Sequence, residues 1–198
     1  MTVAVVDSGV ANLASVLAAL RRLGTEASVT SDNRAIRTAD HVILPGVGSA
    51  AAAMARLRAH ELIDTLRQLT RPVLGICLGM QLLFDFSEEN GGTRGLGIVP
   101  GKVTRLHASP SAPVPHMGWN QLIVRRPVHR MLRNVQDGSF VYFVHGYAAP
   151  PDDTALATTE HGQPFTAIVE WKNYLGCQFH PERSGTVGAQ ILKNFLCM

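Results

Sequence analysis

The chain has 198 residues, 46% hydrophobic and 17% charged, a balance that supports a buried core and excludes a mainly disordered protein. A net charge of +3 raises nucleic acids and anionic membranes as partners, but the basic residues are scattered, with no basic run and no aromatic-rich recognition motif, so neither is expected. Three cysteines without a C-x-x-C pair argue against a disulfide framework or a metal site, and with no basic leader and no span of roughly 20 apolar residues a reducing, cytoplasmic setting is expected.

Thr2 to Val6 is a β-branched run ending in Asp7-Ser8-Gly9, and Asn12 to Leu23 follows with helical periodicity closed by Gly24. A second strand is predicted at Ala27 to Thr30 and a third at His41 to Leu44, stopped by Pro45-Gly46. Ala50 to Leu69 is rich in Ala, Leu and Arg, with a weak break near His60, and fits one long helix or two in succession. Val73 to Ile76 reads as a fourth buried strand, after which Cys77 to Phe84 takes on a helical apolar pattern. Strands alternating with helices imply a parallel sheet. Beyond Gly95 the texture becomes mostly β, with strands predicted at Val99 to Leu106, Gln121 to Val124 and Phe140 to His145. A hairpin pairs Phe165 to Trp171 with Leu175 to Phe179 around Lys172-Asn173, and Gly188 to Leu196 closes the chain as a helix. The Pro/Ser-rich stretch Ala108 to Pro113 is short enough for a surface loop, so residues 1–198 are expected to form one α/β domain: a mixed, mostly parallel sheet flanked by helices, with a β-rich second half.

Gly75-Ile76-Cys77-Leu78-Gly79 places a cysteine between two glycines where a strand becomes a helix, the arrangement of a nucleophile elbow. Such a turn strains the central residue, and small neighbours leave its reactive atom exposed above the sheet. Free N–H groups at the helix start favour negative charge on the sulfur, and the Leu78 N–H is placed to bind a developing oxyanion. The alternative is a cysteine packed as a small hydrophobe, which is how Cys177, inside a strand, and Cys197, at the chain end, are read.

A thiol nucleophile needs a base, and the base needs an acceptor on its other nitrogen. Gln178-Phe179-His180-Pro181-Glu182 offers both. Residues two apart in an extended segment share a side, so His180 and Glu182 are predicted to hydrogen-bond. None of the other seven histidines has an acid in that arrangement, and His116 and His145 are expected to be satisfied structural residues. Pro45-Gly46-Val47-Gly48 can present backbone N–H groups and complete an oxyanion hole with Leu78, or can simply end a strand. No phosphate-binding glycine motif occurs.

With these residues in place the chain resembles class I glutamine amidotransferases, and among them the glutaminase subunits of imidazole glycerol phosphate synthase in histidine biosynthesis. The resemblance runs nearly end to end, through Pro45 to Gly48, Pro72 to Phe84, Gly95 to Val103, Pro115-His116-Met117-Gly118-Trp119-Asn120, Tyr142 to His145 and Gln178 to Glu182. It implies a flavodoxin-like sheet, a Cys77 thioester, His180 as general base and then acid, Glu182 as its orienter, and an oxyanion hole from Leu78 and the Val47 peptide. Gly48 and Gln81 would hold the substrate glutamine, and neither cofactor nor metal is implied. It further implies a heterodimer with a (β/α)8 cyclase that receives the ammonia and switches the glutaminase on, with Asn12, Trp119, Asn120, Tyr142 and Arg183 at or near the interface. The chain departs from the family where Asp7-Ser8-Gly9-Val10-Ala11-Asn12 replaces a usual Asp-Tyr-Gly-Met-Gly-Asn, and where Arg183 replaces a usual Lys.

Two other readings compete. One is the glutaminase of a different class I enzyme, such as pyridoxal phosphate synthase, which the same triad would serve. The other is a flavodoxin-like binding protein whose cysteine senses redox state, a role with no need of His180 and Glu182.

Overall fold

A computed structural model describes residues 1–7 and 12–198; the turn expected at Ser8-Gly9 and the departure through Ala11 fall outside them. Five parallel strands form the first part of the main sheet: β1 (Val3–Val6), β2 (Ala27–Thr30), β3 (His41–Gly46), β4 (Val73–Cys77) and, from the far end of the chain, β14 (Tyr174–Cys177). The helices between them are α1 (Leu13–Arg22), α2 (Asn33–Thr38), α3 (Ala50–Ala59), α4 (Leu62–Arg67) and the single turn α5 (Leu78–Gln81). There follow β5 (Phe84–Ser87), β6 (Thr93–Arg94), β7 (Val99–Arg105), β8 (His116–Gln121), β9 (Ile123–Val124), β10 (Phe140–His145), β11 (Tyr147–Ala148), β12 (Ala155–Glu160) and β13 (Pro164–Trp171). The closing helix is α6 (Gly185–Leu196).

The main sheet runs β2-β1-β3-β4-β14-β13-β12-β9, antiparallel from β14 onward, and β10-β8 and β11-β7-β5-β6 form two smaller sheets. The apolar runs of β1, β3 and β4 have no polar alternation because both faces are covered. Val3 and Val5 face one core with Leu20, Phe143, Phe179 and Phe195, whereas Ala4 and Val6 face a second with Ile36, Leu57, Leu66 and Met80. Helices α1 and α6 thus close one side of the sheet and α2 to α4 the other.

Several predicted boundaries are corrected. Strand β3 continues through Pro45-Gly46, because β1 pairs only as far as Ile43 and the proline's missing N–H lies beyond that ladder. Of the two arrangements open for the stretch from Ala50, the two-helix one forms, with the break at the expected place: His60 ends α3 and Glu61 takes a left-handed φ of 55°. The helix after Cys77 ends at Gln81, because the segment from Gly95 claims the carbonyls: Leu96 N–H donates to Leu82 O, and Ile98 and Val99 N–H donate to Leu83 O. Phe84 therefore starts a strand. The strand expected at Gln121 to Val124 resolves into the end of β8 and the short β9, and His116 to Asn120, given no element in advance, is β8. Helix α2 and strands β5, β6, β11 and β12 also went unpredicted.

Candidate active site

Cys77 ends β4 with φ 53° and ψ −112°, a conformation that L-residues rarely adopt. The strain is held by close approach of the two arms of the elbow. A Cβ on Gly79 would lie 1.7 Å from Leu44 O, and one on Gly75 would lie 2.7 Å from Gly79 O and from the Met80 backbone. Only glycines let β4, α5 and β3 meet this tightly. The Cys77 side chain makes no capping hydrogen bond to α5, and the first N–H groups of that turn face the side on which charge develops at the thiol.

His180 reaches the thiol because β14 lies beside β4 and parallel to it, with Cys177 opposite Ile76. The two strands deliver their C-terminal ends to one place, where open α/β sheets bind ligands. His180 Nδ1 and Glu182 Oε1 are 2.8 Å apart, as predicted, but not by the predicted geometry. The strand stops at Cys177, and Pro181–Arg183 forms a 3-10 turn that curls the carboxylate back to the ring. Both side chains are almost fully buried, 9% and 2% exposed, and Glu182 Oε2 has no hydrogen-bond partner among the described residues. Burial opposes a charged imidazole, but hydrogen bonds to Cys77 and Glu182, with the attraction of both charges, overcome it and raise the His180 pKa to about 10. The site favours an imidazolium, the state a histidine reaches after taking a thiol proton.

Cys77, His180, Val47, Gly48, Leu78, Gln81, His145 and Tyr147 line one cleft of about 170 Å³. Glu89 lines it too and was missed from sequence; its Oε2 accepts from Ala50 N at 2.6 Å, fixing a carboxylate at the start of α3 beside Gly48. Gln81 Nε2 donates to Tyr147 O at 2.7 Å and to Gln178 Oε1 at 3.0 Å. Gln178 Nε2 in turn points at Cys77 Sγ, 3.9 Å away. A larger hollow of about 370 Å³, lined by Arg22, Arg183 and Glu182 among others, holds neither Cys77 nor His180, so the smaller cleft is the site.

Of the residues assigned to an interface, Trp119 and Arg183 are exposed, and Trp119 meets Tyr142 edge to face at 5.9 Å between ring centres. Met117 and Phe140 extend this apolar surface over β8 and β10. Asn12 caps α1 through Ser15 N, and Asn120 turns its amide inward to His116 and Glu160. Cys177 is fully buried, which pushes its thiol pKa far up, and Cys197 is exposed. Among the described residues no helix is long and apolar enough to cross a membrane.

Comparison with known proteins identifies the family. The family model for glutamine amidotransferase class-I matches residues 4–198. A protein of Xylella fastidiosa (strain Temecula1) named imidazole glycerol phosphate synthase subunit HisH is 53% identical over 196 residues, covering 99% of this chain and 97% of that one. Its namesake from Yersinia pestis is 49% identical over 198 residues, covering all of both chains. Among solved structures, PurLQS from Thermotoga maritima shares the fold, with a TM-score of 0.73 at 21% identity over 99% of this chain and 97% of that one. A nucleophile elbow, a buried histidine and carboxylate on the adjoining strand end, and these full-length matches place the chain in the class I glutamine amidotransferase family.

Proposed function

We propose that residues 1–198 act as one amidotransferase domain, the glutaminase subunit of an imidazole glycerol phosphate synthase in histidine biosynthesis, working in the cytoplasm. The observation that carries the chemistry is Cys77 opening into the same cleft as His180, with Glu182 fixed 2.8 Å behind the imidazole. Relatives about 50% identical over the full chain, named as subunits of that synthase, support the choice within the family.

In this reading His180 takes the Cys77 proton and the sulfur adds to the glutamine side-chain amide carbon. The oxyanion is met by the N–H of Leu78 and by the Val47 peptide. His180 returns the proton to the leaving nitrogen, the C–N bond breaks, and ammonia departs from a thioester. Water then attacks with His180 as base, giving glutamate and the free thiol. Gln81 and Gly48 hold the substrate, and the Glu89 carboxylate at the cleft supplies the charge that an α-ammonium group needs.

The ammonia acceptor is a (β/α)8 cyclase subunit in a heterodimer. It would dock on the apolar surface of Met117, Trp119, Phe140 and Tyr142, with Asn12, Asn120 and Arg183 nearby. The test is glutamine hydrolysis by wild type and Cys77→Ala, with and without that cyclase and its nucleotide ligand. Activity that appears only in the full mixture and vanishes in the variant supports the reading. Hydrolysis indifferent to the cyclase, or none in any mixture, overturns it.

A further inference from the structure

Two buried histidines that the chemistry above does not use, His116 and His145, lie between the apolar surface of β8 and the glutamine cleft. Their hydrogen bonds run in one direction only. Asn120 is oriented by its neighbours, since its Oδ1 accepts from Gln121 N at 2.8 Å and its Nδ2 donates to Glu160 O at 2.9 Å. The second Nδ2 proton points at His116 Nε2, 3.3 Å away, which must therefore carry a lone pair. His116 is then protonated on Nδ1 and donates to His145 Nε2 at 3.1 Å. The other end of the chain gives the same answer, because Tyr147 O, 2.9 Å from His145 Nδ1, can only accept. Every donor meets an acceptor with both rings neutral and both in the Nδ1–H form. Burial, the first cause for each, lowers the pKa of His116 to about 4 and that of His145 to about 3, which keeps the rings neutral near pH 7.

The Tyr147 carbonyl that ends this chain is also the anchor of Gln81 Nε2. We propose that His116 and His145 are positioning residues of the glutaminase: through their fixed tautomers they hold the Tyr147 carbonyl, and with it Gln81, in the orientation that binds glutamine. The inference rests on the glutaminase reading and adds a requirement to it. If His116 no longer donates, His145 can move its proton to Nε2, and its Nδ1 lone pair then faces the Tyr147 oxygen. Two lone pairs 2.9 Å apart repel, and the carbonyl turns away from Gln81.

Two measurements test this. Long-range 1H–15N spectra of the full-length protein carrying 15N-histidine, at pH 7, are expected to show both residues protonated on Nδ1. His145 protonated on Nε2 overturns the proposal. Glutamine kinetics of the complex with the cyclase subunit are then compared for His116→Phe, which keeps a ring stacked between Phe143 and His161 but donates nothing, and His116→Asn, whose amide nitrogen replaces Nδ1. KM for glutamine is expected to rise about tenfold in His116→Phe, the loss of about one buried hydrogen bond, with kcat within about twofold. In His116→Asn it should return to within about threefold of wild type. An unchanged KM in His116→Phe, or equal impairment of both variants in kcat, overturns the proposal. A wild-type complex that hydrolyses no glutamine defeats the glutaminase reading instead, and the spectra still decide the tautomers.

Discussion

Tyr142 grips the turn that carries His180. Its carbonyl accepts from the His180 N–H at 2.9 Å, and its own N–H donates to Ser184 Oγ at 2.9 Å. Ser184 Oγ donates onward to His180 O at 2.7 Å. Strand β10 therefore fixes both ends of the segment that aims the proposed base, and the same strand places Val144 O 3.7 Å from Cys77 Sγ. Ser184→Ala removes the hydroxyl that joins the two and leaves a part-buried N–H and a buried carbonyl without that partner. The cost to stability is expected to be about 1–3 kcal/mol, read as a shift in urea midpoint. With the imidazole less well held, kcat for glutamine hydrolysis should fall about tenfold while KM stays near wild type. An unchanged kcat would show that the turn holds its shape without the serine.

Glu182→Gln keeps the size of the side chain and removes its charge. An amide cannot attract the imidazolium, so the His180 pKa should fall from its raised position and kcat should drop roughly 10³-fold. The same substitution changes how stability depends on pH. A histidine raised to about 10 in the fold and near 6.5 when unfolded gives stability that is fully present below pH 6.5 and is lost as pH rises through 10. The wild-type urea midpoint should therefore decline between pH 7 and 10, and Glu182→Gln should show a shallower decline over that range.

The buried pair His116 and His145 acts with the opposite sign. Both pKa values are depressed, mainly by burial and further by the neighbouring His161, with His116 and His180 adding to the effect at His145. Unfolded, they titrate near 6.5, so below that pH the unfolded chain binds protons that the fold refuses. Their contribution is complete above pH 6.5 and is lost as pH falls toward 4. From pH 7 to 5 the loss should be on the order of 2 kcal/mol for each histidine. The comparison that isolates it is the slope of unfolding free energy against pH, which should be smaller in His116→Phe than in wild type.

What could be read in advance follows from where the information lies. Strands β1, β3 and β4 are buried on both faces and so spell themselves as apolar runs, and the elbow and the His180-Pro181-Glu182 turn are contiguous in sequence. Strand β8 hid because its inward residues are the polar His116 and Asn120, held by hydrogen bonds, with Gly118 between them, and so show no apolar alternation. Strand β12 hid because Ala155 and Ala157 carry little strand signal and burial on both faces leaves its threonines no polar alternation to mark them. Glu89 was invisible for another reason: only the tertiary bond to Ala50 N brings it to the cleft. The apolar pattern after Cys77 was real, yet periodicity over so few residues does not separate a helical turn from the strand that follows it.

Gly79 gives the sharpest test of the elbow, because two glycines of the same chain predict opposite outcomes. At Gly79 an added Cβ meets the Leu44 carbonyl at 1.7 Å, a contact between two backbones with no flexible side chain to yield. To admit a methyl group β3 must move away from the α5 turn, and that movement displaces Pro45, Gly46 and the Val47 peptide from Cys77. Gly79→Ala should therefore cost at least about 3 kcal/mol of stability, at the upper end of overpacking effects. Any folded protein recovered should have lost glutaminase activity by more than about 10²-fold. At Gly24 an added Cβ meets nothing within 4 Å, and the only obstacle is a φ of 72°. Gly24→Ala should cost about 1–2 kcal/mol, the strain of a left-handed residue at a helix end, and leave glutamine hydrolysis within about twofold of wild type. Urea unfolding and glutaminase assays on the two variants separate packing from strain. Equal losses in both would mean that glycine is needed at position 79 for flexibility and not for the approach of β3.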